Sequence, residues 1–548
     1  MRRLAIVLLL GCGSSKTADP PLETYTPPPR EAVIEPGIVR EIVDVEGVVA
    51  PPNPVRNADT PKEQNRIRVV RYRPESNKKP RAILVLLPGF LGGAGSFDPL
   101  ARALVRRGLN DPEGAIEAWA IDRRSNYLED THGDDVAEVK RDPAIANKYY
   151  YEGEPVFGKT FAGFIDQSSL PQAAEWGAAV TLGDLRNVIA RVPDAKSRVI
   201  LVGHSLGATL AEAYAAWDFA GQRGFDGLAG LVMIDGVGGR ELDPPSSFAE
   251  PTYLEGSTDT TNPFASSGLN TIRKSQPYVS LPFIGVGALE NAERMAIATA
   301  LAPTAPRIEH EDITNLSAIL FGLDRKKIPK MTNRAAFGFA FDDASSVVFI
   351  AAISTGKPTG GAVGSYRGIL GGELIHPTDP AASYDWLDFD ATTPNEHSRL
   401  SDMARSWYEG PGLNFGEWYF PTRLALDAGV VTSMNIAEDD WRAKYGLRAR
   451  HGGDLDLPVL AFAAALTADK AATPPTASRY NKLQAMLTKP IGEGRPLAGT
   501  PRTDPRAYRL IVRPQFTHID PIQAADVGEG KTWFDELYTF ATTNTPKL

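Results

Sequence analysis

Cysteine is almost absent from this chain: one residue, Cys12, in 548. A lone thiol excludes an intramolecular disulfide framework, so the fold has to be held by its core. Long basic runs are missing and the formal net charge is −9. That balance disfavours nucleic acid or an anionic lipid surface as the main electrostatic partner. No apolar stretch approaches the roughly 20 residues that a spanning helix needs. There is no His-Glu-x-x-His, no glycine-rich loop followed by Lys-Ser/Thr and no dinucleotide fingerprint, so neither a metal nor a cofactor is expected. The nearest approach to a ligand cluster, Glu309-His310-Glu311-Asp312, reads as a solvated acidic face. Histidine is scarce at seven residues, which leaves few candidates for a catalytic base.

What the chain does have is a regular alternation. Strand-like runs stand at Ile38–Val49, Ile67–Tyr72, Ala82–Leu87, Ala115–Ile121, Val199–Val202, Leu228–Ile234, Leu457–Ala463 and Tyr508–Val512. Several are continuously apolar, as strands buried on both faces of a parallel sheet are. Helix-like segments, including Pro99–Arg107, Ala173–Val192 and Ala208–Ala220, lie between most of them. Strand alternating with helix predicts an α/β fold with a mostly parallel central sheet covered on both faces. A polar, tyrosine-containing excursion interrupts the pattern near residues 124–170, and a far larger insertion occupies 239–456. Within it, Phe337-Gly-Phe-Ala-Phe341 alternates aromatic and small residues at period two. All three rings would then share one face, packing the insertion's core or lining an apolar pocket.

The most specific feature is Arg198-Val-Ile-Leu-Val-Gly-His-Ser-Leu-Gly207. A buried strand runs into Gly-x-Ser-x-Gly and an alanine-rich helix follows. A serine forced out of a sheet by so sharp a strand-to-helix turn needs glycine two residues before and two after it. A second feature lies at the start. Met1-Arg-Arg precedes a short apolar run ending Leu9-Leu10-Gly11-Cys12, which resembles the lipobox of bacterial lipoproteins. That resemblance implies a signal segment over 1–11, a lipidated Cys12 that attaches the chain to a membrane, and a location in the cell envelope. Gly13, where an aspartate would retain the protein at the inner membrane, points to the outer membrane or cell surface. Residues 12–36 are rich in Pro, Thr and Ser and read as a tether. The expected organisation is then a first core segment over 37–238, a cap over 239–456 and a second core segment over 457–548.

Leu87-Pro-Gly-Phe-Leu-Gly-Gly93, Ile121-Asp-Arg-Arg124, Gly203–Gly207, Ala465-Leu-Thr-Ala-Asp469 and Thr517-His-Ile-Asp-Pro521 fall in order at the ends of successive strands. Together they resemble the α/β-hydrolase fold superfamily in its serine esterase and lipase branch. The resemblance covers residues 60–238 and 456–545 and implies hydrolysis of a carboxylic ester by a Ser-His-Asp triad. Ser205 is the expected nucleophile. His518, on the loop between last strand and last helix, is the expected base; Asp520-Pro521 just after it read as the N-cap and first position of one terminal helix through Trp533 and Tyr538. His204 lies inside the elbow and points away; His132, His310, His376, His397 and His451 lie in excursions. For the acid, Asp469 resembles the family's usual acid loop, although Leu466 stands where glycine is common. Asp235, ending Leu231-Val-Met-Ile-Asp235, is the alternative, followed by Asp454, Asp456 or a residue of the cap. The backbone N–H groups of Phe90 and Leu206 are the expected oxyanion donors. A nucleophilic serine disfavours dehalogenation and epoxide hydrolysis, which use aspartate on this fold. The expected partner is a small-molecule or lipid ester, bulky or apolar given the size of the cap. An amidase, thioesterase or acyltransferase with the same triad, and an inactive lipid-anchored binding protein on this scaffold, are the alternatives.

Overall fold

The structure is a computed structural model that describes residues 25–547 apart from 77–78, 114, 237–247, 258–265, 281–284, 308–328, 369–371, 409, 411–412, 432–433, 529 and 531. Cys12, the signal segment and Glu309–Asp312 lie outside the described residues. Among the described residues no helix is long and apolar enough to cross a membrane.

Nine strands build the main sheet: β1 (Glu31–Glu35), β2 (Ile38–Glu46), β3 (Arg66–Pro74), β4 (Pro80–Leu87), β5 (Ala115–Asp122), β6 (Val199–His204), β7 (Gly230–Ile234), β8 (Val459–Ala463) and β9 (Tyr508–Val512). They lie in the order β1-β2-β3-β5-β4-β6-β7-β8-β9. The six from β4 onward run parallel to one another, while β1, β2 and β3 form an antiparallel extension that joins at β5. β6, β7 and β8 are buried at every position, because helices cover both faces of this part of the sheet.

The period of two along a strand divides its side chains between two cores. Val85, Leu87, Leu201 and Met233 face one core, with Leu182 and Leu185 of helix Ala178–Ile189 and Leu210 of helix Leu206–Ala215. Leu84, Leu86, Val202 and Val232 face the other, with Leu100 and Leu104 of helix Asp98–Leu109 and Phe534 and Leu537 of helix Phe534–Thr543. The helix Asp98–Leu109 carries its own start and stop signals: Asp98 and Pro99 in the first turn, Arg106 and Arg107 in the last.

Three expectations are corrected. Glu31–Glu35, inside the stretch read as tether, forms the edge strand and pairs antiparallel with β2; its Glu-Ala-Val-Ile-Glu sequence alternates polar and apolar as a half-buried strand does. The segment after His518 is not one helix. A short turn, Asp520–Gln523, ends well before the helix Phe534–Thr543. The Phe337–Phe341 stretch is helical, within Asn333–Phe341. At 3.6 residues per turn the rings divide. Phe337 meets Phe341, with centroids 4.6 Å apart, while Phe339 packs edge-on against Trp386 at 5.3 Å. All three are buried, so the packing reading holds.

The described residues between β7 and β8 form helices Glu250–Glu255, Leu269–Ser275, Val286–Leu301, Asn333–Phe341, Leu400–Tyr408 and Thr422–Val430, with short strands at residues 330–331, 357–359, 363–367, 373–377 and 383–387. Parts of this insertion enter both main cores: Phe420, Leu424 and Leu426 join one, and Phe337, Met403 and Trp407 the other.

Candidate active site

The turn at Ser205 is as sharp as its sequence predicts. β6 ends at His204 and the next helix begins at Leu206. Between them Ser205 sits at φ 57°, ψ −125°, a conformation that costs an L residue about 1–3 kcal/mol. The flanking glycines are there for close approach. A Cβ on Gly203 would lie 2.1 Å from the Gly207 carbonyl oxygen, and one on Gly207 2.1 Å from that of Leu87. The Ser205 N–H donates to the Ile234 carbonyl at 2.9 Å, tying the elbow to the neighbouring strand. Leu206 opens the helix, so its N–H is among the first four amides, which have no partner within the helix.

The loop after β4 closes on this serine. A Cβ on Gly89 would come within 2.8 Å of the Ser205 Cβ and 3.3 Å of its Oγ. Glycine is therefore the residue that lets the Pro88-Gly89-Phe90 backbone reach the hydroxyl; Phe90 follows it in the chain, as Leu206 follows Ser205.

His518 is buried at 5% exposure. Its Nδ1 is 2.8 Å from Asp235 Oδ2. Since the donors that ring Asp235 keep its carboxylate ionised and accepting, Nδ1 carries the proton and Nε2 is the basic nitrogen. Asp235 directly follows β7, at φ 42°, and is fully buried. Burial pushes its pKa up, but the His518 hydrogen bond and charge, with bonds from Thr467 and Leu466, outweigh that and hold it below the ordinary carboxylate value.

The preferred acid, Asp469, does not meet His518. Its own N–H pairs with the Thr476 carbonyl at 2.7 Å, and its Oδ2 accepts from the Ser478 N–H at 2.6 Å, at the start of helix Ser478–Met486. The physical reason lies in the preceding residues of the same motif. Ala464 N–H at 2.8 Å, Leu466 N–H at 3.1 Å, Thr467 N–H at 3.0 Å and Thr467 Oγ1 at 2.6 Å all donate to Asp235. The loop after β8 thus delivers donors, not a carboxylate, and Asp469 has passed the site by the time it appears. Asp454 pairs with Lys489 at 2.5 Å and Asp456 with Arg495 at 3.1 Å, so neither faces the imidazole.

Serine after β6, aspartate after β7 and histidine after β9 stand at the carboxyl ends of parallel strands around one strained elbow. The chain has the α/β-hydrolase fold. No family model matches it and no curated protein does. Solved structures of similar fold include a lipase candidate from Sulfolobus solfataricus (12% identity, 92% of this chain and 94% of that one, TM-score 0.43). A peroxisomal α/β-hydrolase from Saccharomyces cerevisiae (10%, 94% and 94%, 0.38) and a thermophilic esterase from Thermogutta terrifontis (10%, 92% and 100%, 0.32) are others.

Two supports of this site were not singled out as such by the sequence. His204 turns back under His518: its Nε2 donates to the His518 carbonyl at 2.9 Å and the two rings lie 4.6 Å apart. Burial, then the neighbouring His518 charge, push its pKa down to about 3, so it stays neutral. Asp520 is the second. It is fully buried and accepts from Thr517 N–H at 2.8 Å, Ser354 N–H at 2.9 Å, Ser354 Oγ at 2.7 Å and Ser398 Oγ at 2.7 Å. The histidine loop is thereby bonded to two points of the insertion. The remaining described histidines have other places: His132 on the Val156 carbonyl at 2.9 Å, His397 stacked on Phe516 at 4.0 Å, His376 edge-on to Tyr366 and His451 beside Asp454.

Proposed function

We propose that the protein is a serine hydrolase that cleaves carboxylic esters through Ser205, His518 and Asp235 and an acyl-enzyme intermediate. The observation that carries this reading is the buried 2.8 Å bond between His518 Nδ1 and Asp235 Oδ2, set beside a serine held in the conformation that presents its hydroxyl. In the first half-reaction His518 Nε2 takes the proton as Ser205 Oγ attacks the ester carbonyl. The tetrahedral oxyanion is received by the N–H groups of Phe90 and Leu206. Collapse expels the alcohol, which leaves with the proton from His518. Water then repeats the sequence on the acyl-serine, releasing the acid and restoring the hydroxyl. Asp235 keeps the imidazole in one tautomer and stabilises the imidazolium at each transition state.

The large insertion favours esters with a bulky or apolar acyl group over acetate-sized ones. Attachment to the cell envelope through lipidated Cys12 is part of the same proposal, resting on Leu9-Leu10-Gly11-Cys12. Incorporation of labelled palmitate, lost in Cys12→Ala, tests it.

The deciding experiment uses the chain from residue 13, as wild type and Ser205→Ala. A fluorophosphonate should label the wild type only. A series of p-nitrophenyl esters of rising chain length should be hydrolysed by the wild type and not by the variant. Equal background in both would sink the hydrolase reading and leave an inactive binding scaffold. Labelling without ester turnover would move the reading to amide, thioester or acyl-transfer chemistry.

A further inference from the structure

The Ile121-Asp-Arg-Arg124 motif marks the end of β5, yet none of its side chains enters the triad. Arg123 is 4% exposed and spends its donors on the loop that carries Phe90. One terminal nitrogen donates to the carbonyls of Pro88 at 2.5 Å and Gly89 at 3.2 Å, the other to that of Gly92 at 3.1 Å. The second nitrogen also meets Glu417 at 2.6 Å, a fully buried carboxylate that accepts from Ser125 Oγ as well. Glu417 belongs to the insertion.

The insertion grips the same loop through its backbone. Glu417 N–H donates to the Leu91 carbonyl at 2.9 Å, Gly93 N–H to that of Phe415 at 2.7 Å, and Gly95 N–H to that of Asn414 at 2.9 Å. On the core side, Asp122 accepts from Ala94 N–H at 2.6 Å. Phe420, also of the insertion, lies 5.2 Å from the Arg123 guanidinium and 4.9 Å from the Phe90 ring. Leu91, at φ 56°, is a strained residue that such contacts hold in place.

We propose that Arg123 is a positioning residue for the oxyanion hole and that Glu417 of the insertion is the counter-charge that makes its burial possible. The proposal rests on the serine hydrolase reading above. Its core is the geometry of one peptide unit. The Gly89 carbonyl and the Phe90 N–H belong to the same planar trans peptide and point in opposite directions. Arg123 holds that carbonyl and so fixes the direction of the N–H. Its positive charge also polarises the unit, and in a buried site this strengthens the donor. Arg123 touches no reacting atom in this scheme; it acts through Phe90. Glu417 is needed because a guanidinium buried without a partner is strongly destabilising. The insertion thus completes the oxyanion side of the site from below, besides whatever it covers from above.

Three variants of the chain from residue 13 test this. Arg123→Lys keeps the charge but loses the fork that spans three carbonyls. Glu417→Gln keeps hydrogen-bonding capacity but loses the counter-charge. The pair Arg123→Met with Glu417→Gln removes both without leaving a bare ion. Each is first shown to be folded by its melting transition, and rates are normalised to sites labelled by fluorophosphonate at completion. Arg123→Lys and the double variant should lower kcat by about 10²-fold, the scale of a displaced catalytic group, with KM little changed. The rate of fluorophosphonate labelling should fall in parallel, and Glu417→Gln should fall less. Amide exchange should quicken in the peptide covering residues 88–95. Folded variants that label and turn over at the wild-type rate would overturn the proposal, as would a rise in KM at unchanged kcat. A wild type that is never labelled overturns the hydrolase reading and this proposal with it.

Discussion

Two carboxylates follow neighbouring strands of the sheet, and they are used in opposite ways. Asp235, after β7, is buried and accepts from four donors besides His518. Asp469, after β8, caps the start of the helix Ser478–Met486. A carboxylate near an imidazole is not enough for a triad acid. It has to be kept ionised in a dry place, and that requires a set of donors around it. The loop after β8 supplies those donors to the residue on the next strand. The teaching is that the acid is defined by what surrounds the carboxylate more than by the motif that contains it.

The comparison breaks most visibly in the two asparagine variants. Asp235→Asn should lower kcat by about 10⁴-fold, the scale of losing the correct tautomer. Asp469→Asn should stay close to wild type in the same ester assay. Equal losses, or the reverse order, would return the role to Asp469. A finer cut is Thr467→Val, which removes the 2.6 Å hydroxyl bond to Asp235 while keeping the side-chain shape. It should cost about tenfold in kcat, the usual worth of one bond to a charged group. Because that bond helps hold the Asp235 pKa down, the acid limb of the pH–rate profile should move to higher pH.

The third prediction concerns stability on the Asp235 side. His204 has its folded pKa at about 3 against roughly 6.5 in an unfolded chain. Between these values the unfolded state binds the extra proton, so stability is complete above about pH 6.5 and declines towards pH 3. Melting temperatures measured across that window should fall less steeply in His204→Gln than in the wild type; parallel curves would remove His204 from the account. The smallest effect is expected at Asp469 itself. Losing its cap on Ser478 should cost about 1 kcal/mol or less, read as a slightly lower melting temperature with turnover unchanged.

The sheet was legible in the sequence because burial on both faces leaves continuous apolar runs at β4, β6, β7 and β8 that are too short for buried helices. The elbow was legible because steric closure between Gly203, Gly207 and Leu87 admits so few residues. His518 was placed by its position after the last strand. The partner of His518 was misjudged because most of the donors around Asp235 are backbone N–H groups of the loop after β8, and these leave no trace in the residue letters. Leu466, which looked like a departure from a familiar loop, contributes an N–H that any residue except proline has. Phe337–Phe341 was misjudged for another reason: over five residues, alternation of large and small satisfies a strand or a helix alike, and packing against Trp386 decides it. The roles of Arg123 and Glu417 join residues 294 apart in the chain, a separation no local pattern encodes.

Asp520 bears on how such a chain changes over generations. Two serines of the insertion, Ser354 and Ser398, end on a carboxylate two residues from His518. A recombination event that exchanged the insertion for another of different sequence would strand that carboxylate in the interior and release the histidine loop. Lineages of this architecture are therefore expected to inherit insertion and catalytic floor as one block. An engineer seeking a new specificity would do better to vary side chains within the insertion than to replace it whole.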